Sequence, residues 1–491
     1  MSDLRLRVLD DRPVDPKGRY VLYWMIAARR TRFNFALQHA LQWAKRLGRP
    51  LLIFEPLRAG YAWAADRHHA FVIQGMADHA ARLSRLGVRY LPYLEPKPGA
   101  ARGLLRALAE SAAVVVTDDS PAFHYPRMLR AAAAQVECRL EAIDGNGLLP
   151  LRAPDRDFTR AHSFRAYLQR ELPAHLERLP VVDPLAKYDL GAATIPRTVL
   201  QRWPGVSAAA LREPARLVAA LPLDREPDIV EGVSGGEVAG ARRLEAFVAD
   251  RLANYGSARN HPDDEDSGSG LSPHLHFGHV GAHQVFHAIC RREGWSPASL
   301  GPPQGGSRGG FWGMSEAAEA FVDQFVTWRE MGYVMNLRDP DFHRFESLPP
   351  WARKTMAEHA KDPRPSLYTT AQLENAETYD PLWNAAQRQL RVEGRIHNYL
   401  RMLWGKKIYE WSASGEEAFT RLVELNDRWA LDGRDPNTLS SIGWVLGRFD
   451  RAWGPERPIF GKLRYMSSDS ARRKLRLTQY LQRWSDQTSM F

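Results

Sequence analysis

The hydrophobic pattern of this 491-residue chain changes character once, and that change limits the fold more than any single motif does. In the first 150 residues, short apolar runs at 20–26, 50–55, 88–94, 113–117 and 137–143 alternate with amphipathic stretches at 33–46, 66–86, 101–109 and 125–134. Runs this short, each followed by a 3.6-residue apolar period, are the β-α-β rhythm of a doubly wound parallel sheet. From residue 237 onward the strand pattern stops. Helical spacing predicts helices at 237–254, 273–291, 316–336, 351–360, 381–392, 396–411, 416–430 and 441–447, with starts such as Ser272-Pro273, Ser315-Glu316 and Asp380-Pro381. Between the two patterns, 179–236 is proline-rich and ends in Gly232, Ser234, Gly235 and Gly236. The expected organisation is an α/β domain over 1–178, a linker over 179–236 and an all-α domain over 237–491. A further helix is expected over 157–170, and the Gly/Pro-rich 300–310 reads as a mobile surface loop.

Composition narrows the class. A hydrophobic content of 44% with 25% charged residues is that of a globular protein rather than a disordered or fibrous one. Two cysteines, Cys138 and Cys290, cannot build a disulfide framework or a four-cysteine metal site, so a reduced, cytoplasmic setting is expected. Asp3, Arg5, Arg7, Asp10, Asp11 and Arg12 break up any signal peptide, and the longest apolar runs, 21–28 and 112–116, are too short for a membrane span. The net charge is +10 and favours a polyanionic partner. Much of it sits at the end, where Lys462, Arg464, Arg472, Arg473, Lys474, Arg476 and Arg483 face only Asp469 and Asp486. That tail reads equally as a solvated basic helix or as a phosphate-facing surface.

Four features can carry chemistry. No G-x-G-x-x-G follows the first strand, where Ala27, Ala28, Arg29, Arg30 and Thr31 stand instead, so a conventional dinucleotide turn is not expected. Asp118, Asp119, His124 and Tyr125 follow a strand end, and a helix cap with a polar loop is favoured there over a ligand site. Eleven of the fifteen tryptophans lie from Trp295 onward. Trp404 and Trp411 are seven apart and share a helix face, with Trp383 on the preceding helix. Buried core is their ordinary role, but neighbouring indoles can also pass an electron. The segment 425–438, LNDRWALDGRDPNT, crowds Asn426, Asp427, Asp432, Arg434, Asp435 and Asn437 around Gly433. An Asp-Gly turn explains Asp432 and Gly433 but not the rest, and Arg401 is a natural counter-charge for one aspartate. Finally, SGSGLSPHLHFG at 267–278 runs small residues into a helix start suited to phosphate. Its His274, His276 and His279 lack further ligands at zinc spacing and read as structural.

Together these stretches resemble the photolyase/cryptochrome family, and most closely the class II cyclobutane pyrimidine dimer photolyases. YDPLWNAAQRQLRVEGRIHNYLRMLWGKKIYEW (379–411), LNDRWALDGRDPN (425–437), ERPIFGKLRYMS (456–467) and LSPHLHFG (271–278) carry the resemblance, in the family's order. It implies an antenna-type α/β domain, a helical domain holding one U-shaped FAD, and no metal. Tyr255, Ser269, Leu271 and Ser272 match the grip on the cofactor's phosphate and ribitol side. Arg329 and Arg401 match flavin-side arginines, with Arg401 and Asp432 as an ion pair, Asp435 near the flavin or its ribityl region, and Asn426 facing flavin N5. Trp404, Trp383 and Trp411 match the photoreduction tryptophans, with Trp404 and Trp383 both open as the proximal one. On the substrate side the resemblance implies Trp328 and Trp444 as aromatic walls, Met402 beneath the dimer, Arg259 at the cofactor–lesion pocket and Arg464 toward DNA. Gln324 stands where a glutamate is usual, and Asn398 where a glycine is. The implied activity is light-driven splitting of pyrimidine dimers in UV-damaged DNA by a monomer, with an antenna chromophore such as a deazaflavin as an open addition. A cryptochrome-like photoreceptor, or a photolyase for another lesion, is the alternative.

Overall fold

A computed structural model describes residues 3–264 and 268–485. Ser267, the first residue of the small-residue stretch, and Asp486 of the basic tail lie outside the described residues. The chain forms two compact units. One comprises residues up to Asp155, Arg170–Ala249 and Leu271–Leu300; the other comprises Arg156–Gln169, Asp250–Gly270 and Gly301 onward.

The first unit is built on six strands: β1 (Leu6–Asp10), β2 (Tyr20–Trp24), β3 (Leu51–Leu57), β4 (Arg89–Leu94), β5 (Ala112–Asp118) and β6 (Arg139–Ile143). Their order is β1-β6-β5-β2-β3-β4, parallel throughout except for β1 against β6. Alternate residues of β2 feed two cores: Tyr20, Leu22 and Trp24 one face, Val21 and Tyr23 the other. A strand covered on both faces needs no polar side, which is why β2 and β5 read as unbroken apolar runs. β1 escapes sequence reading for the opposite reason. It is a half-exposed edge strand, LRVLD, with no apolar run to detect.

The second unit is helical, and among the described residues no strand follows β6. Its core unites the helices Pro381–Glu393, Asn398–Glu410, Gly415–Trp429 and Pro436–Val445. Local chemistry sets their ends. Asp380 caps the first by accepting from the N–H groups of Leu382 and Trp383, and Gly394 stops it in the left-handed region at φ 64°. Ser414 caps the third and Asp435 the fourth.

Two predicted helices are broken. The stretch 273–291 divides into Ser272–His276 and Ala282–Glu293. Gly278 between them has φ +75°, and a Cβ there would sit 1.8 Å from the Ala27 carbonyl oxygen, so the chain turns tightly against the sheet instead of continuing. The stretch 237–254 becomes Glu237–Ala246, a π turn over Phe247–Arg251 and a 3-10 turn over Leu252–Asn254. The stretch 316–336 stays helical but widens into a π segment over Asp323–Trp328. No described helix is long and apolar enough to cross a membrane.

Candidate functional site

In the helical unit, four segments converge on Asn426. Arg401, from the Asn398–Glu410 helix, reaches Asp432 with both terminal nitrogens, at 3.2 and 3.4 Å, and also donates to Asn426 Oδ1. The amide of Asn426 donates to Asp427 Oδ1 (3.1 Å) and Thr438 Oγ1 (3.2 Å). Asp427 Oδ1 in turn accepts the Arg434 backbone N–H at 2.7 Å, which holds the Asp-Gly turn in place. Asn426 is therefore a buried, oriented amide rather than a solvated one.

The neighbouring helix Arg329–Arg338 lies against Pro436–Val445. A Cβ on Gly332 would come within 2.7 Å of both Ser440 Oγ and Asn437 Oδ1, so only glycine allows the approach. It brings the Tyr333 hydroxyl to Asp435 Oδ2 at 3.0 Å, while Asp435 Oδ1 caps its own helix through Asn437. The Arg329 guanidinium lies over the Tyr333 ring at 4.3 Å. Burial works against its charge, but Tyr333 and Asp435 outweigh it and hold the guanidinium pKa above its ordinary value. Burial raises the Tyr333 phenol, so it stays a neutral donor to Asp435.

The three tryptophans fall into a series that spacing left unordered. Trp404 and Trp383 are parallel, 2° apart, with centroids at 6.4 Å; Trp383 and Trp411 meet edge to face at 5.3 Å. Trp383 is thus the middle member. The Trp383 indole N–H donates to the Trp404 carbonyl (3.0 Å), and that of Trp404 to Gln387 (2.9 Å). Beyond Trp411 stand Tyr368 at 5.3 Å and Tyr379 at 5.5 Å. Tyr379 is 55% exposed while all three indoles are buried, so the series runs from the interior to the surface.

A cavity of about 680 Å³ opens in the same unit. Trp328 and Trp444 line it, with Arg464. The π segment explains one wall: its wider turn buries Asp323 against Arg165 (2.7 and 3.1 Å) while Trp328, five residues on, borders the cavity. Trp444 is backed by two basic side chains, with Arg464 at 5.5 Å and Lys406 at 5.6 Å from its ring centre. Asp450 grips Arg464 at 2.9 Å. Burial alone would raise the Asp450 carboxyl, but Arg464, the Arg451 N–H and the Trp453 indole together keep it low. Lys406 is fully buried and donates to the Val445 carbonyl; burial pushes its pKa down to about 7.

Sequence reasoning missed the rest of the lining: Arg160, His162 and Arg165 from one segment, Gly306, Ser307 and Arg308 from a second, and Asp450 with Arg451 from a third. None carries a local signal, because the wall exists only once segments far apart in sequence meet. The loop expected to be mobile is instead anchored. Gly301 N–H donates to the Phe311 carbonyl (2.8 Å), Gln169 Oε1 accepts from the N–H groups of Gln304 and Gly306, and Glu319 accepts from those of Gly310 and Gly313.

Other assigned residues stand apart from these clusters. Gln324, Met402 and Arg259 are half-buried and Asn398 is exposed at the first turn of its helix, and none of the four lines the cavity. Arg259 lies over the Tyr255 ring at 5.5 Å. Tyr255 and Ser269 belong to the helical unit, Leu271 and Ser272 to the α/β unit. The phosphate-suited helix start is a single short turn in which Leu271, not Ser272, holds the capping position. In the α/β unit, Asp118 is neither helix cap nor open ligand: its Oδ2 accepts the N–H groups of Ile26, Ala27 and Ala28 at 2.8–2.9 Å, and its Oδ1 the Tyr23 hydroxyl at 2.7 Å. His274 is buried, with its pKa pushed down to about 4, and His279 accepts the Gly236 N–H, both as structural residues.

No protein-family model matches the chain. It is 31% identical over 482 residues to the deoxyribodipyrimidine photo-lyase of Methanothermobacter thermautotrophicus, spanning 98% of this chain and 97% of the relative. It is 30% identical to those of Potorous tridactylus (97% of this chain, 83% of the relative) and Arabidopsis thaliana (97% and 92%). The fold is similar to the crystal structure of a bacterial class III photolyase from Agrobacterium tumefaciens, with a TM-score of 0.69 over 95% of this chain and 86% of that one, at 16% identity. On the strength of the near-full-length relatives, the chain belongs to the deoxyribodipyrimidine photo-lyase family.

Proposed function

We propose that this protein is a light-dependent DNA repair lyase that splits cyclobutane pyrimidine dimers, using FAD held in the helical unit. The observation that carries the reading is a cavity with two tryptophan walls and an arginine rim, in a chain that matches deoxyribodipyrimidine photo-lyases almost end to end.

The donor set suits an isoalloxazine that carries negative charge. Arg401 and Arg329 supply cations, Asp432 fixes the first of them, and Asn426 offers a buried amide for N5. Within the helical unit, Tyr255 and Ser269 would hold the phosphate and ribitol side, and Asp435 the ribityl region. When bound and reduced, FAD supplies the light-driven electron that opens the cyclobutane ring, and it is returned afterwards. The chain's own task is to bind, orient and shield. Trp328 and Trp444 replace the stacking that a flipped dimer loses; Met402, Arg259, Gln324 and Asn398 lie outside the cavity lining and are assigned to the dimer by the family resemblance alone. Arg464, steadied by Asp450, faces the DNA. Trp404, Trp383 and Trp411, continued by Tyr379, would offer a route for an electron between the surface and the cofactor. With the exposed Tyr379 beyond Trp411 at the surface end, Trp404 would be the member nearest the cofactor.

Both cysteines are free, in keeping with a reducing cytoplasm. For an antenna chromophore such as a deazaflavin, the N–H groups after β2 are not available, since Asp118 takes them.

The test is an absorption spectrum of the purified protein, followed by a thymine-dimer oligonucleotide under blue light with a dark control. Bound flavin with light-dependent loss of the dimer is expected. Flavin without repair moves the reading to a photoreceptor or another lesion, and absence of flavin overturns it.

A further inference from the structure

The segment 301–311 is an Ω-loop, with its ends joined by the Gly301–Phe311 hydrogen bond. Its crown is tied to buried side chains. Gln169, 2% exposed, takes two loop N–H groups and donates to the Ser307 carbonyl (2.9 Å); Arg165 donates to the Gly306 carbonyl at 3.0 Å. Gly306 has φ +91°, and a Cβ there would lie 2.6 Å from the His162 carbonyl oxygen. A surface loop held this closely is built to present something at a fixed place. It presents Arg308, which is exposed, lines the cavity and has no carboxylate partner among the described residues. Arg160, from the segment that anchors the loop, is exposed and unpaired on the same cavity. Of the other cations there, Arg165 is engaged by Asp323 and Arg464 by Asp450, while Arg451 lies over the Trp453 ring at 4.5 Å.

Resting on the repair reading above, we propose that this Ω-loop is a phosphate-binding wall of the lesion cavity, with Arg308 and Arg160 taking backbone phosphates of the extruded nucleotides. A guanidinium fork fits a phosphate's paired oxygens, and an unpaired one gives up no internal ion pair to bind it. Because these arginines border the cavity, they meet those phosphates only once the dimer has left the helix. They therefore add to damaged-duplex binding and little to undamaged-duplex binding.

The test measures binding of a labelled duplex, with and without one thymine dimer, to the flavin-loaded protein and to Arg308→Ala and Arg308→Lys across a salt series. Arg308→Ala is expected to weaken dimer-duplex binding about fivefold and flatten its log K against log salt slope by about one. Undamaged-duplex binding moves less than twofold, and Arg308→Lys recovers the slope. Equal loss on both duplexes makes Arg308 a general surface cation and overturns the proposal, as does no loss on either. A wild-type protein that repairs dimers while Arg308→Ala binds normally overturns the loop alone. A wild-type protein that neither binds nor repairs the dimer overturns the repair reading and the loop with it.

Discussion

The carboxyl end of the sheet and the cavity of the helical unit are both places where a ligand is expected, yet their polar groups are arranged in opposite ways. After β2 and β5, the crevice of the α/β unit answers itself. Asp118 satisfies three backbone N–H groups and a tyrosine, and Asp119 is paired with Arg152 at 2.6 Å and Arg7 at 3.4 Å. Around the cavity, Arg160, Arg308 and Arg451 have no carboxylate partner among the described residues, and two indoles face open space. Polar groups closed on one another hold a fold together. Cations left without partners beside an aromatic cavity add little to the fold and are available to a polyanion.

This contrast can be broken by substitution. Asp118→Ala strips two buried and two part-buried donors of their acceptor and should lower unfolding free energy by about 3 kcal/mol, read by urea denaturation. A loss below about 1 kcal/mol would mean that the crevice is not self-closed. Trp383→Phe keeps a ring in the core but removes the indole N–H bond to the Trp404 carbonyl, at about 1–2 kcal/mol. The same variant should lose nearly all light-driven reduction of bound flavin, because the middle member of the series is gone; unchanged photoreduction would remove the series from the mechanism.

Lys406 sharpens the comparison through pH. Its folded pKa, about 7, lies below the ordinary 10.5, so between those values the unfolded chain binds a proton that the folded chain does not. Stability then rises with pH above 7, by about 1 kcal/mol per pH unit from this group, and its cost is fully present below pH 7. Lys406→Met should flatten that rise between pH 7 and 9, measured as the difference from wild type. The smallest expected effect is that of Arg160→Ala, within about 0.5 kcal/mol in stability, since the side chain is exposed and unpaired. Its consequence should appear in DNA binding instead, and a large loss of stability would place Arg160 with the structural residues.

Much of this was legible in the chain. Unbroken apolar runs announced a sheet covered on both faces, and the switch of period announced the helices. The crowding of Asn426, Asp432 and Asp435 with Arg401 marked the polar cluster, because so many charges near apolar helices require partners. Less legible was β1, whose edge position left it no apolar signature. The expected helix over 273–291 failed because the Gly278 turn answers to the Ala27 carbonyl, a neighbour some 250 residues away that no local propensity registers.

Local sequence was enough for the two patterns of secondary structure, the caps at Ser315 and Asp380, and which residue types could carry charge or an electron. These depend on neighbours a few positions apart. Only the tertiary structure decided the order Trp404, Trp383, Trp411, the closure of the Ile26–Ala28 turn by Asp118, and the conversion of a Gly/Pro-rich stretch into an anchored wall of the cavity. Each depends on where distant segments meet, and burial then sets what each meeting costs or contributes.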